Sequence, residues 1–314
     1  MLLMEAMSMR FFDLHCDTLY RALDEKKDIN KGNMHVQLER AKIFKTYIGC
    51  FAAWISDNLR REKAIDLFEN IYNKLESERE NGLVKCESKK DLENVLYKGK
   101  IGAVFTVEGG AVLAGDISRV KKIYDYGVRA MTLTWNGSCE LGDGIGVENT
   151  KGLTEFGKEA VKEMEEVGII VDISHASERL FYDVSNIASK PFIATHSNAR
   201  KICNHRRNLT DEQIRTIKSV KGLIGINFCR DFLSEKSRVS KADIIKHIEY
   251  FLSMGCEDIL CIGSDFDGAD MPDDIKGIES MPEIYEECLK LNYNEELVDK
   301  IFFNNAYKFF KENI

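Results

Sequence analysis

The sequence predicts an α/β protein folded as a (β/α)8 TIM barrel, and three observations carry that expectation. Short β-rich runs alternate with amphipathic helical stretches along all 314 residues. Those runs number eight and are almost continuously apolar, the pattern of parallel strands covered on their outer face by helices. No Gly/Ser-rich or low-complexity stretch marks a linker, and only three prolines interrupt the chain. Eight strand–helix units close most economically into one barrel domain of this length. An open doubly wound sheet is the alternative architecture.

The strand candidates, in order, are MRFFDLH, TYIGCFAAWI, IGAVFTVEG, VRAMTLTW, GIIVDISH, PFIATHS, GLIGINF and ILCIGSDF. Between them, Ala64, Leu67, Phe68, Ile71 and Leu75 form an apolar stripe at helical spacing. Leu153, Phe156, Ala160, Met164 and Val167 form another, stopped by Gly168 at a C′ position. Thr210–Gln213 (TDEQ) and Ser240–Asp243 (SKAD) read as capping boxes, the second with a shorter acid than usual. One domain is expected over 1–314, with about residues 1–8 forming a loose N-terminal extension.

Composition narrows the function classes. The chain carries 52 acidic and 44 basic residues, a formal charge of −8, with no long Lys/Arg cluster, which argues against a nucleic-acid partner. Nine cysteines, an odd number with no CxxC pair, argue against a disulfide framework or a structural zinc knuckle. The opening MLLMEAMSMR lacks the basic and long apolar regions of a signal peptide, and no run approaches the ~18 apolar residues of a membrane span. A cytoplasmic protein without a membrane partner is therefore expected.

The residues that end the strands are the informative ones. Strand one ends in His15 and Asp17, which share a face because side chains alternate. Glu108 ends the third, His175 the fifth, His196 the sixth and Asp265 the eighth. Each has an ordinary reading alone: Glu108 as a loop cap, the histidines as satisfied core residues, Asp265 as an Asx-turn residue. In a barrel, however, all these ends open on the face where active sites lie. Three imidazoles and three carboxylates on one rim are penalised unless something compensates them, and divalent metal does.

The charges favour two ions. Two divalent cations bring four positive charges, of which Asp17, Glu108 and a shared hydroxide remove three. One carboxylate, most simply Glu108, bridges ions about 3.5–4 Å apart. Mixed nitrogen and oxygen ligation suits zinc, although manganese, iron or cobalt also accept such donors.

With these residues in view, the chain resembles the membrane (renal) dipeptidase family of dinuclear-zinc peptidases on metal-dependent-hydrolase barrels. The resemblance runs in order through DLHCDT, TVEGG, DISHAS, THSNA, RRNLTD and GSDFDG to a C-terminal stretch similar to the family's closing helices. It implies that His15 and Asp17 bind one metal, that His175 and His196 bind the other, and that Glu108 bridges them. It further implies that Asp265 handles the proton of the attacking water and that Arg207 grips the carboxylate of a small dipeptide substrate. A homodimer and acceptance of a C-terminal D-residue are also implied. One position departs: where the family archetype has a histidine after TLT, this chain has Trp135, whose indole donates one hydrogen bond but takes up no proton. Trp135 is expected to line the substrate site or to pack beside it, with Asn136 as a substitute donor. The alternatives are a related barrel amidohydrolase acting on N-acyl amino acids or other small amides, and a non-catalytic peptide-binding barrel.

Overall fold

The computed structural model describes residues 9–314, so the expected N-terminal extension lies outside the described residues. The strands are β1 (Arg10–Cys16), β2 (Thr46–Trp54), β3 (Leu83–Lys85), β4 (Ile101–Glu108), β5 (Val128–Thr132), β6 (Ile170–Asp172), β7 (Ile224–Ile226) and β8 (Leu260–Ile262). All their pairings are parallel, and the ladder runs β6-β5-β4-β2-β1-β8-β7, with β3 beside the start of β4. This is an α/β fold with a parallel sheet of the kind found in metal-dependent hydrolase barrels.

Two differences from the sequence expectation have physical causes. β3 is absent from the strand candidates because three residues, only the first of them buried, carry too little periodicity to mark a strand. Conversely, PFIATHS is not a regular strand. Its backbone alternates between neighbours instead: Ile193 N–H donates to Val171 and Ala194 N–H to Leu223, while Gly225 N–H donates back to Ala194. Thr195 N–H then turns to the Asp172 carboxylate, which ends the bonding to β6 after a single bridge, while Ser197 N–H still donates to Gly225 of β7.

The helices follow the apolar stripes. In Glu62–Glu78, Ala64, Phe68, Ile71 and Leu75 are buried against the sheet. Glu155–Val167 starts at Thr154, whose hydroxyl accepts the Gly157 N–H, and stops at Gly168, where φ of +94° favours glycine. Thr210 and Gln213 form the full reciprocal box, and Ser240 N–H donates to the Asp243 carboxylate at 3.2 Å. The chain ends in helices that pack Phe302, Phe303 and Phe310 against Phe11 and Phe12 of β1. One continuous apolar cluster therefore reaches from Met9 to Phe310. All nine cysteines are free. Among the described residues, no helix is long and apolar enough to cross a membrane.

Candidate active site

Six of the residues singled out above converge where the strands end. His15 lies in β1, Asp17 precedes the helix Thr18–Asp24, and Glu108 closes β4 opposite Trp54 of β2 and Thr132 of β5. His175 and Asp265 sit three residues past β6 and β8, not on the strands themselves, at φ of 65° and 62°. A non-glycine residue held in that left-handed region is unusual, and such strain clusters at functional sites.

Glu108 divides its oxygens between two groups. Its Oε1 lies 2.8 Å from His175 Nε2 and 3.4 Å from His196 Nε2, while Oε2 lies 3.6 Å from His15 Nε2. His15 Nε2 is also 3.3 Å from Asp17 Oδ2. One ligand atom each from His15, Asp17 and Asp265 falls within 4.8 Å of the others, and so do atoms from His15, Glu108 and His196.

The surroundings fix how the imidazoles present themselves. His175 Nδ1 faces Asn136 Oδ1 at 2.9 Å, and His196 Nδ1 faces Thr195 Oγ1 at 2.8 Å. The Thr195 hydroxyl gives its own proton to Asp172, so it accepts from His196. Both rings therefore carry the proton on Nδ1 and turn a bare Nε2 lone pair inward, and those two atoms stand only 3.0 Å apart. Two lone pairs facing each other are unfavourable unless a cation draws on them. Asp17 Oδ1 is buried with no hydrogen-bond partner among the described residues. A Cβ on Gly268 would lie 2.0 Å from Asp17 Oδ2 and 2.7 Å from Asp265 Oδ1, so only glycine leaves room for both carboxylates. These donors fit divalent cations.

Protein charges alone leave the cluster under tension. Burial, with Glu108 next, pushes the Asp17 carboxyl up to about 7, and burial, with the Arg207 charge next, pushes His175 down to about 3. Burial also opposes the charged forms of Glu108 and His15, but each holds the other charged. Glu108 is drawn well below the usual carboxylate range chiefly by His15, and His15 well above its ordinary value by Glu108 and Asp17.

A cavity of about 550 Å³ opens over these groups. One wall is aromatic: Trp135 stands edge-on to Trp54 at 5.1 Å, and Trp54 edge-on to Tyr20 at 4.7 Å. Arg207 lies behind His175, outside the residues lining that cavity. It is 6 % exposed, its guanidinium is 5.4 Å from the Phe232 ring, and its Nε lacks a partner among the described residues. Asn136 lines the cavity: its carbonyl oxygen accepts from His175 Nδ1, and its amide N–H2 is left as a donor. Three polar residues that the sequence did not single out complete the site. Asp13 and Asp172 are buried beside the ligand strands, and Asn227 donates to Asp265 Oδ2 at 3.0 Å. Asp13 sits two residues before His15 on the same strand face, which was the one available signal.

An α/β sheet with imidazoles and carboxylates gathered at its strand ends, over a cavity, has the architecture of a metal-dependent hydrolase. The chain belongs to the membrane dipeptidase family, peptidase family M19, whose model matches residues 3–313. Membership makes it a metallo-dipeptidase-type hydrolase of peptide bonds. It is 31% identical over 236 residues to an uncharacterized protein of the pqqA 5′ region of Klebsiella pneumoniae, covering 72% of this chain and 87% of that one. The crystal structure of dipeptidase AC, also of family M19, matches with a TM-score of 0.90 at 25% identity, over 98% of this chain and 99% of the other. A Rhodobacter sphaeroides metallopeptidase, crystallised with a phosphinate mimic of L-Ala-D-Ala, shares the fold with a TM-score of 0.90 at 24% identity, over 98% and 100% of the two chains.

Proposed function

We propose that this protein is a dinuclear zinc dipeptidase that cleaves small dipeptides, including those ending in a D-residue. The observation that carries the reading is the division of Glu108, one oxygen toward His175 and His196 and the other toward His15. In this reading His15 and Asp17 would hold one ion, His175 and His196 would hold the other, and Glu108 would be a ligand shared by the two groups. The single bridges that Ile193 makes to β6 and Ala194 makes to β7 support the reading of the sheet as one (β/α)8 barrel domain.

When bound, such ions lower the pKa of water toward 7 and polarise the scissile carbonyl. The remaining steps belong to the protein. Asp265, held by the Asn227 amide, accepts the proton of the attacking water and returns it to the departing amine. Arg207 pairs with the substrate's terminal carboxylate, which lies one residue from the bond cut and so favours a dipeptide over a long chain. The Tyr20–Trp54–Trp135 wall limits water on the side facing the substrate.

The test is metal analysis of the purified protein, followed by Zn²⁺-dependent hydrolysis of L,L and L,D dipeptides beside N-acyl amino acids. Two ions per chain and faster cleavage of free dipeptides are expected. Preference for N-acyl amino acids would replace the dipeptidase reading with an amidohydrolase one, and metal uptake without hydrolysis would leave a binding protein.

A further inference from the structure

Two buried aspartates outside the proposed ligand set make the same contacts at two places in the sheet. Asp13 of β1 pairs in parallel register with Ile262 of β8, and Asp172 of β6 pairs in parallel register with Ile193. Two residues beyond each isoleucine stands a hydroxyl residue, Ser264 in one case and Thr195 in the other. Asp13 Oδ1 accepts the N–H groups of His15 at 3.3 Å and Ser264 at 2.8 Å, and its Oδ2 accepts the Ser264 hydroxyl at 2.5 Å. Asp172 repeats this: Oδ1 accepts Ser174 N–H at 2.9 Å and Thr195 N–H at 3.0 Å, and Oδ2 accepts the Thr195 hydroxyl at 2.5 Å. Each carboxylate thus binds the amide two residues ahead of it and both polar groups of the residue across the ladder.

Each clamp leads directly into the site. Asp265 comes immediately after Ser264, and His196 immediately after Thr195. His15 is itself bound by the first clamp, and His175 adjoins Ser174 in the second. Each aspartate therefore ties together two neighbouring segments that deliver one side of the site. The Thr195 hydroxyl also receives His196 Nδ1–H, so the second clamp sets that ring's tautomer as well. All four clamp residues are at most 2 % exposed. Apolar residues of similar volume would fill the same space but leave those buried N–H groups without an acceptor. Only a carboxylate fixes three donors in direction at once.

We propose that Asp13 and Asp172 are paired positioning residues that pre-set the two halves of the metal centre, Asp13 the His15–Asp265 side and Asp172 the His175–His196 side. The assignment rests on the dinuclear reading above. Its test uses the full chain as Asp13→Asn and Asp172→Asn, with the milder Ser264→Ala and Thr195→Val and the rescue variant Thr195→Ser. Two readouts are taken: amide hydrogen exchange of the metal-free protein, and affinity for two Zn²⁺ ions by chelator competition. Asp172→Asn and Thr195→Val should speed exchange around residues 172–176 and 193–197 and weaken one ion by about 10–100-fold, sparing the other ion and the β1–β8 segments. Asp13→Asn and Ser264→Ala should do the reverse, and Thr195→Ser should restore wild-type values. Equal weakening of both ions by either variant, or unchanged exchange at its own clamp, overturns the proposal. Should the aspartate variants not fold, the hydroxyl variants decide by the same criteria. A wild type that binds fewer than two ions overturns the dinuclear reading, while the exchange pattern still decides whether the clamps act side by side or globally.

Discussion

His247 lies in the helix Lys241–Ser253 and is fully buried, away from the proposed ligands. Its Nδ1 accepts the N–H of Ala199 at 3.1 Å, and its Nε2 donates to the carbonyl of Leu233 at 3.1 Å. The two bonds together require a neutral ring protonated on Nε2. Adding a proton at Nδ1 would set one N–H against another in a buried site. Burial is the main reason that the ring's pKa falls from 6.5 to about 4, with the Leu233 carbonyl and Asp243 pulling weakly the other way. Because Ala199 lies just beyond the segment bearing His196, this bond also ties the helix to one flank of the site.

The sign is set by which state takes up the proton. Between about pH 6.5 and 4 the unfolded chain protonates this histidine and the folded protein does not. Stability from the neutral ring is therefore complete above 6.5 and is lost as pH falls toward 4. A depression of that size corresponds to at most about 3 kcal/mol. His247→Gln keeps one acceptor and one donor but does not titrate. Urea unfolding of both proteins at equal metal content, from pH 7 down to 4.5, should show the wild type losing stability more steeply than the variant. The slopes should differ by up to about 1.4 kcal/mol per pH unit. Parallel curves would mean that His247 is protonated in the folded protein too, and would refute the reasoning.

Three further outcomes are expected. Asp265→Asn should retain both ions yet lower kcat by about 10²–10⁴-fold, and unchanged turnover in that variant would remove Asp265 from proton transfer. Arg207→Ala should raise KM for free-acid dipeptides by about 10–150-fold, since one charge-assisted hydrogen bond contributes about 1.5–3 kcal/mol, while amidated dipeptides should respond little. If the parent protein already cleaves amidated and free-acid dipeptides equally, the clamp assignment fails. Gly268→Ala places a methyl against Asp17 and Asp265, so metal content measured after dialysis should fall although far-UV circular dichroism stays unchanged.

The candidate site was legible where chemistry interrupts an apolar strand. His15, Glu108 and His196 each have an ordinary reading alone and stand out only because all of them end apolar runs on one rim. His175 and Asp265 carry the same signal, but the sequence puts them on strands whereas the structure sets each three residues past one. The regular ladder stops earlier because Asp172 and Asp13 capture the amides of Ser174, Thr195 and Ser264. Those captures cannot be read from sequence, since they depend on the register that sets Asp13 opposite Ile262 and Asp172 opposite Ile193. Strand lengths were therefore overestimated at the very positions where the site is built.

The Trp135 departure shows how the same limit bears on chemistry. From sequence, Asn136 was the natural substitute for a missing histidine, being adjacent and able to donate. In the structure its carbonyl oxygen accepts from His175 Nδ1, which orients the amide and leaves its N–H2 as the donor beside the cavity. Trp135 meanwhile extends an aromatic wall through Trp54 to Tyr20, with its ring 6.2 Å from that of His175. An indole there offers one donor and no acceptor. In the proposed mechanism the ions, when bound, would supply charge to the developing oxyanion, while Trp135, packed against Trp54, borders the cavity with an apolar face.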